Sequence, residues 1–208
     1  MRCGIDHLVV TAPSLEGGAA YVKAILGIAP GPGGAHPRMG THNLLLRLGE
    51  SAFLEVIATD PAAPHPGRPR WFGLDDAATL RAPRLAAWVA RTDDLGACPP
   101  EVLAECGAVE TMTRGTREWL ITIPADGRLP LGGALPMLIE WQTPRAPAGA
   151  GLPEAGCALA TLGLRHPDPA RVQALLARAG FEDRVAIEPG EPGLWADIAT
   201  PAGVRRLG

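Results

Sequence analysis

G-T-H-N-L-L-L-R-L-G-E-S-A-F-L-E-V-I, residues 40–57, is the stretch that decides the fold. Two runs rich in branched apolar residues flank a short turn at Gly49-Glu50, the pattern of two paired strands. Pairing Leu48 with Ser51 sets Leu44 opposite Glu55 and His42 opposite Ile57. Side chains alternate faces along a strand, so His42, Leu44, Leu46, Phe53, Glu55 and Ile57 are expected to share one face. That face is apolar except for one imidazole and one carboxylate. An ionised carboxylate among apolar neighbours is costly unless something pairs with it. A metal ion, a histidine, an arginine or a polar ligand would each serve, so the hairpin points to a site.

Upstream, G-I-D-H-L-V-V-T (residues 4–11) reads as a buried strand. Ser14 follows as a helix N-cap with Glu16 in the first turn, and Leu15, Ala19, Val22, Ile25 and Leu26 recur at helical spacing up to Gly27. A Pro/Gly-rich connection over residues 30–37 leads into the hairpin, with room for a short strand around Ile28. Downstream, residues 59–84 carry Asp60-Pro61, Pro64, Pro66 and Pro69 and read as loop. Trp71 and Phe72 on that segment either cover a pocket or pack over a sheet edge.

The strand-helix opening then returns. L-A-A-W-V-A-R-T-D-D-L from Leu85 matches the first strand and its turn, and aligning Leu95 on Leu15 sets Ala87 where His7 stands. A short helix is expected over residues 102–106, closed by Gly107, with strands over 118–124 and 135–142. L-I-E-W in the last of these echoes F-L-E-V, so Glu140 matches Glu55. A linker over 143–153 precedes a third copy: a strand over 157–165, Asp168 as N-cap with Pro169 at the first helical position, and a helix over 170–179 closed by Gly180. That copy ends in a strand over 194–198 and a turn at Pro201-Ala202-Gly203. Repetition of this kind is the main sequence evidence for the fold.

Composition narrows the function classes. The chain has 208 residues and a formal net charge of −3. It contains no basic run and no aromatic-basic interleaving, which argues against nucleic acid as a partner. No apolar run reaches the roughly 18 residues that span a membrane, and the first residues enter a strand pattern rather than a leader, so a cytoplasmic location is expected. Cys3, Cys98, Cys106 and Cys157 have no metal-ribbon spacing and read as free thiols. Lys23 is the one lysine, and the abundance of Arg, Ala, Gly and Pro suggests a bacterial genome rich in G and C.

I-D-H-L-V, H-P-R-M-G-T-H-N, F-L-E-V-I-A and L-P-M-L-I-E-W, in this order and spacing, resemble the glyoxalase-like domain proteins of the vicinal oxygen chelate superfamily. The resemblance implies an α+β fold of repeated βαβββ units, a curved mixed sheet with a cup-shaped cavity, and helices on the outer face. It covers residues 1–145 as paired units at about 4–58 and 85–143, with residues 154–208 as a partial third unit on the same domain. In that superfamily, divalent metal ligands come from the first and last strand of each unit. The matching positions here are His7, Glu55, Ala87 and Glu140. Ala87 is no ligand, nor is Trp88 one residue on, nor Thr161 in the third copy. The resemblance therefore implies a metal set of His7, Glu55 and Glu140, with His42 as a further ligand or a base and Glu140 as a second candidate catalytic group. Mn²⁺, Fe²⁺, Ni²⁺ or Zn²⁺ would suit these donors.

Two readings of function follow. One is a metal-dependent lyase or isomerase acting on a small carbonyl- or oxyanion-bearing metabolite. The other is a metal-free protein that binds or sequesters a small molecule in the cup, which Ala87 and the tryptophans favour. A structural module with a vestigial site and a homodimer are further alternatives. His36 before Pro37 reads as a surface residue, with the cup mouth within reach as the other reading, and neither His65 in its Pro-rich loop nor His166 in the third turn reads as a site residue. Arg114 and Arg117 bracket a Gly115 turn, where solvated arginines are the simpler reading and a grip on an anion the other.

Overall fold

The computed structural model describes residues 1–77, 81–143, 149 and 151–208. Most of the linker expected over 143–153, and three positions of the Pro-rich loop, lie outside the described residues.

The first unit runs β1 (Cys3–Thr11), α1 (Leu15–Leu26), β2 (Gly31–His36), β3 (Thr41–Arg47) and β4 (Phe53–Thr59). The second runs β5 (Arg84–Thr92), α2 (Pro100–Cys106), β6 (Ala108–Arg114), β7 (Arg117–Ile123) and β8 (Met137–Thr143). The third runs β9 (Ala158–His166), α3 (Pro169–Arg178), β10 (Val185–Pro189), β11 (Gly193–Thr200) and β12 (Gly203–Leu207). The helix signals act as read. Ser14 accepts from the Gly17 amide and Gly27 closes α1 in the left-handed region. Asp168 caps α3 through the Arg171 amide. The strand expected near Ile28 forms later, as β2 over Gly31–His36.

β1 to β8 form one curled mixed sheet in the order β2-β3-β4-β1-β5-β8-β7-β6. Each unit contributes four strands in matching order, and the antiparallel pair β1–β5 joins them at the centre. This is the α+β fold that the repeated units imply. The sheet curls until its outer strands meet: Arg38 on the β2–β3 connection donates to the Thr111 carbonyl of β6 at 2.8 Å and pairs with Glu110.

One sheet face carries Leu8, Val10, Leu54, Val56 and Trp88, packed under α1 and α2. The third unit joins this face. Its own sheet, ordered β10-β9-β11-β12, brings Leu164, Leu194, Ala196 and Ile198 into the same core. The inner face carries Val9, Ile57, Val89, Ile121 and Ile139 beneath Trp71 and Phe72, which sit on a 3₁₀ turn.

The hairpin of residues 40–57 forms, but in a register one residue from the one expected. The Leu48 amide donates to the Ala52 carbonyl, closing a three-residue loop whose first member, Gly49, has φ 93°. Leu45 therefore pairs with Glu55, and Asn43 with Ile57. A slip of one residue reverses every facing of the partner strand. Asn43 and Leu45, rather than His42 and Leu44, share the inner face with Phe53 and Glu55.

Candidate functional site

The curled sheet encloses a cavity of about 230 Å³, lined by aromatic and aliphatic side chains with a band of polar groups along one wall. Phe53, Trp71, Phe72, Trp119 and Trp141 supply the rings, and Leu45, Ile121 and Ile139 the aliphatic surface. Phe72 holds its ring there from the left-handed region, φ 57° and ψ 23°. A bulky side chain rarely adopts that conformation, and it persists only where burial over-determines it. Phe72 is buried, as are both of its chain neighbours.

β1 delivers two adjacent polar side chains to the cavity side. A bulge between Ile5 and His7 leaves Asp6 without a partner on β5. Bulges re-aim side chains, and here Asp6 and His7 face each other with Asp6 Oδ1 2.6 Å from His7 Nδ1. Trp141 Nε1 donates to the other Asp6 oxygen at 3.0 Å. On its far edge, His7 Nε2 lies 3.5 Å from Glu55 Oε2. The His7 ring stacks on Phe53, centroids 4.4 Å apart.

Glu55 connects this group to β3 and β2. Asn43 Nδ2 donates to Glu55 Oε1, and Asn43 Oδ1 accepts from the Gly34 amide at 2.8 Å. A second irregularity, between Pro32 and Ala35 on β2, makes this possible. A Cβ at Gly33 would come within 2.1 Å of Asn43 Oδ1. Arg114, at the end of β6, donates from Nη1 to Asn43 Oδ1 at 3.5 Å and to His36 Nε2 at 3.4 Å. An arginine only donates, so His36 Nε2 accepts and the ring proton sits on Nδ1, which faces Thr41 Oγ1 at 3.3 Å. Trp71 Nε1 donates to the same hydroxyl. The polar band is thus one continuous chain from Trp71 to Trp141 through Thr41, His36, Arg114, Asn43, Glu55, His7 and Asp6.

The charges follow from these contacts. Burial opposes a charge on His7, but hydrogen bonds to Asp6 and Glu55 outweigh it and lift the imidazole to about 9. Burial likewise disfavours the Glu55 carboxylate, yet its bond to His7 overcomes this and holds it at about 2. Burial dominates at His36 and lowers it to about 4. At neutral pH the wall therefore holds an imidazolium between two carboxylates, a neutral His36, and the Arg114 guanidinium.

Of the residues singled out in the sequence, His7 and Glu55 come together in the cavity. Glu140 and His42 do not join them. Ile139 and Trp141 line the cavity, so Glu140 between them lies on the other sheet face, where it accepts from the Leu95 amide at 2.7 Å and from Gln142. It caps the 3₁₀ turn after β5. His42 lies opposite the inner face because of the hairpin register. Asn43, His36 and Arg114 are the cavity residues that sequence reasoning passed over or assigned to the surface, and Asp6, buried behind His7 and Trp141, is the support it also missed. Gly49 marks the turn near Asn43 but not its length, and the loop of three residues rather than two is what turns Asn43 inward. Asp6 had no such signal.

The ladders also correct the match between units. His7 pairs with Val89 and Val9 with Ala87, which the alignment of Ala87 on His7 requires. Val9 lies beside Glu55 on β4, while its counterpart Val89 lies beside Met137 on β8. Met137, not Glu140, is the counterpart of Glu55.

The model of a glyoxalase-like domain matches residues 5–180 of the sequence. The chain belongs to the glyoxalase-like domain family. The family's fold is also that of a hypothetical protein from Staphylococcus aureus, 14% identical, with a TM-score of 0.66 over 92% of this chain and 88% of that one. Methylmalonyl-CoA epimerase from Mycobacterium tuberculosis is 20% identical, with a TM-score of 0.42 over 66% of this chain and 86% of that one. A single-residue variant of Streptomyces coelicolor methylmalonyl-CoA epimerase, in complex with 2-nitronate-propionyl-CoA, is 12% identical, with a TM-score of 0.43 over 66% of this chain and 94% of that one. No curated protein matches the sequence.

This family member does not present the four metal-ligand positions of the superfamily as donors. The first unit supplies His7 and Glu55, the second Ala87 and Met137. Among the described residues no group of three or more His, Cys, Asp or Glu side chains is placed to hold an ion. His7 Nε2 and Glu55 already face each other, and Arg114 brings a cation to the same wall. These residues do not fit a resident divalent metal. Among the described residues, no helix is long and apolar enough to cross a membrane.

Proposed function

We propose that this glyoxalase-like protein is a metal-free receptor that binds a small molecule within the cup. The observation that carries this reading is the second unit: Ala87 and Met137, buried beneath the cup, stand where metal donors would, and the lining this unit supplies includes Trp119, Ile121, Ile139 and Trp141. Sites that bind small molecules are concave, mostly apolar, and carry a few placed polar groups. This cavity has that balance, and at about 230 Å³ it suits one or two fused rings rather than a ligand filling the ~300–1,000 Å³ of larger sites.

The metal-dependent lyase or isomerase reading leaned on Glu140 as a third donor, and Glu140 is on the other face. Proton transfer by the residues present is also poorly supported. A general base works best when its affinity for the proton lies near the working pH. His7, at about 9, is already protonated there, and Glu55, at about 2, is a weak base.

The test is elemental mass spectrometry together with a tryptophan fluorescence titration. Protein purified without a metal-affinity tag and then incubated with Mn²⁺, Ni²⁺ or Zn²⁺ is expected to retain well under one equivalent. Naphthalene derivatives are expected to quench the tryptophans of the cup equally with and without chelator. About one equivalent of transition metal, lost in Glu55→Ala, would restore the metal-dependent reading.

A further inference from the structure

Arg114 differs from the other partly buried arginines near the cup. Arg68 pairs with Glu110 at 2.6 Å, Arg70 with Asp75 at 2.7 Å and Arg47 with Glu154 at 3.0 Å. Arg114 lines the cavity, yet among the described residues no carboxylate lies within ion-pair distance of it. Its contacts are to neutral acceptors, His36 Nε2 and Asn43 Oδ1, both long and both from the same Nη1.

The carboxylate that could have served it is Glu55, but both Glu55 oxygens are engaged, one by Asn43 Nδ2 and the other facing His7 Nε2. The negative charges of Asp6 and Glu55 outnumber the imidazolium of His7 by one, and Arg114 offsets this only across the neutral amide of Asn43. A guanidinium carries five N–H donors in a planar fork. The Nε and Nη2 groups of Arg114 are free of protein acceptors among the hydrogen bonds of the described residues. Arg117, three residues on, adds a second cation to the cavity lining. Gly34 lets the Arg114 side chain lie close against β2, since a Cβ there would come within 3.1 Å of Arg114 Cδ.

We infer that the ligand of the cup is a small aromatic monoanion, its carboxylate held by the Arg114 fork and its ring between the tryptophan and phenylalanine walls. This rests on the receptor reading above and names its ligand class. A carboxylate matches the planar fork with two parallel bonds. A neutral ring would leave the Nε and Nη2 donors of Arg114 without an acceptor in a largely apolar cavity. A dianion such as a phosphate monoester would bring a second charge close to Glu55.

The probes are 2-naphthoate, 2-naphthamide and 2-naphthyl phosphate, titrated against wild type, Arg114→Gln and Arg114→Lys by tryptophan quenching. Wild type should bind the carboxylate at least about tenfold more tightly than the amide, the size expected of a charge-assisted pair. Arg114→Gln should erase that preference while still binding the amide, and Arg114→Lys should keep only part of it because a point charge lacks the fork. Equal binding of acid and amide by wild type would overturn the anion assignment and leave the receptor standing. So would an undiminished preference in Arg114→Gln. Tighter binding of the phosphate than of the carboxylate would overturn the monoanion. Absence of quenching by all three probes would remove the receptor reading, and the ligand class with it.

Discussion

His7 and His36 lie on one wall of the cavity, and the protein sets them to opposite protonation states. His7 is held at about 9, above its ordinary 6.5. Its contribution to stability is complete below pH 6.5 and fades as the pH rises towards 9. His36 is lowered to about 4 by burial, so its contribution is complete above pH 6.5 and is lost as the pH falls towards 4. Glu55, held at about 2 against an ordinary 4.5, adds a further loss between those two values. These residues place maximum stability near pH 6.5, with the acid limb belonging first to His36 and the alkaline limb to His7. Denaturant midpoints measured from pH 4 to 10 should show both limbs. His7→Asn should flatten the alkaline limb, and His36→Gln the limb between pH 4 and 6.5. An alkaline limb that survives in His7→Asn would place its origin elsewhere. Removing one partner of a buried ion pair typically costs ~3–5 kcal/mol. Glu55→Ala is expected to fall in that range, while Glu140→Ala should lose only the cap on its turn, about 1 kcal/mol, with ligand affinity unchanged.

The elements differ in how openly the sequence declares them. α1 and α3 carry their own punctuation, Ser14 and Gly27 for one and Asp168 and Pro169 for the other, and both form where read. β1, β4, β5 and β8 are buried enough to read as apolar runs. β2 and β6 were not legible, because they are outer strands of the sheet with few buried residues: G-P-G-G-A-H and A-V-E-T-M-T-R show no clean alternation. Pairing with a neighbour makes them strands, and pairing leaves little trace in one sequence. The site suffered more than the fold, since faces depend on register to a single residue. One extra residue in the hairpin loop replaced His42 by Asn43, and one bulge in β1 added Asp6. Gly33 is where such detail can be tested. Alanine there must displace the Asn43 amide or the backbone behind it, so Gly33→Ala should cost ~1–3 kcal/mol, the usual cost of overpacking, and weaken ligand binding as Asn43 moves. Calorimetric melting beside the fluorescence titration would check both effects.

At the scale of the molecule, the third unit is part of the main core rather than an appendage. Gly180 accepts from the Cys3 amide at 2.8 Å, Asp183 from the Ile5 amide at 2.6 Å, and Phe181 packs edge-on against the fully buried Trp88. Cutting the chain after residue 153 would uncover Trp88 and the outer face of β1 and β5. The shortened chain should lose its near-ultraviolet dichroism, whereas the intact protein should show one transition coincident in near- and far-ultraviolet signals. The two units that build the cup are related by an approximate two-fold axis between β1 and β5, yet only the first brings an acid and an imidazole to it; the second brings Arg114, Trp119 and Trp141. A cup with two equal halves would accept a guest in either of two orientations. This one has a greasy side and a polar side, and the polar side presents the Arg114 cation and the Asn43–Glu55 pair as separate points. Three unlike points of contact are the minimum needed to tell a molecule from its mirror image, so a racemic 2-aryl acid offered to this protein should leave the solution enriched in one hand.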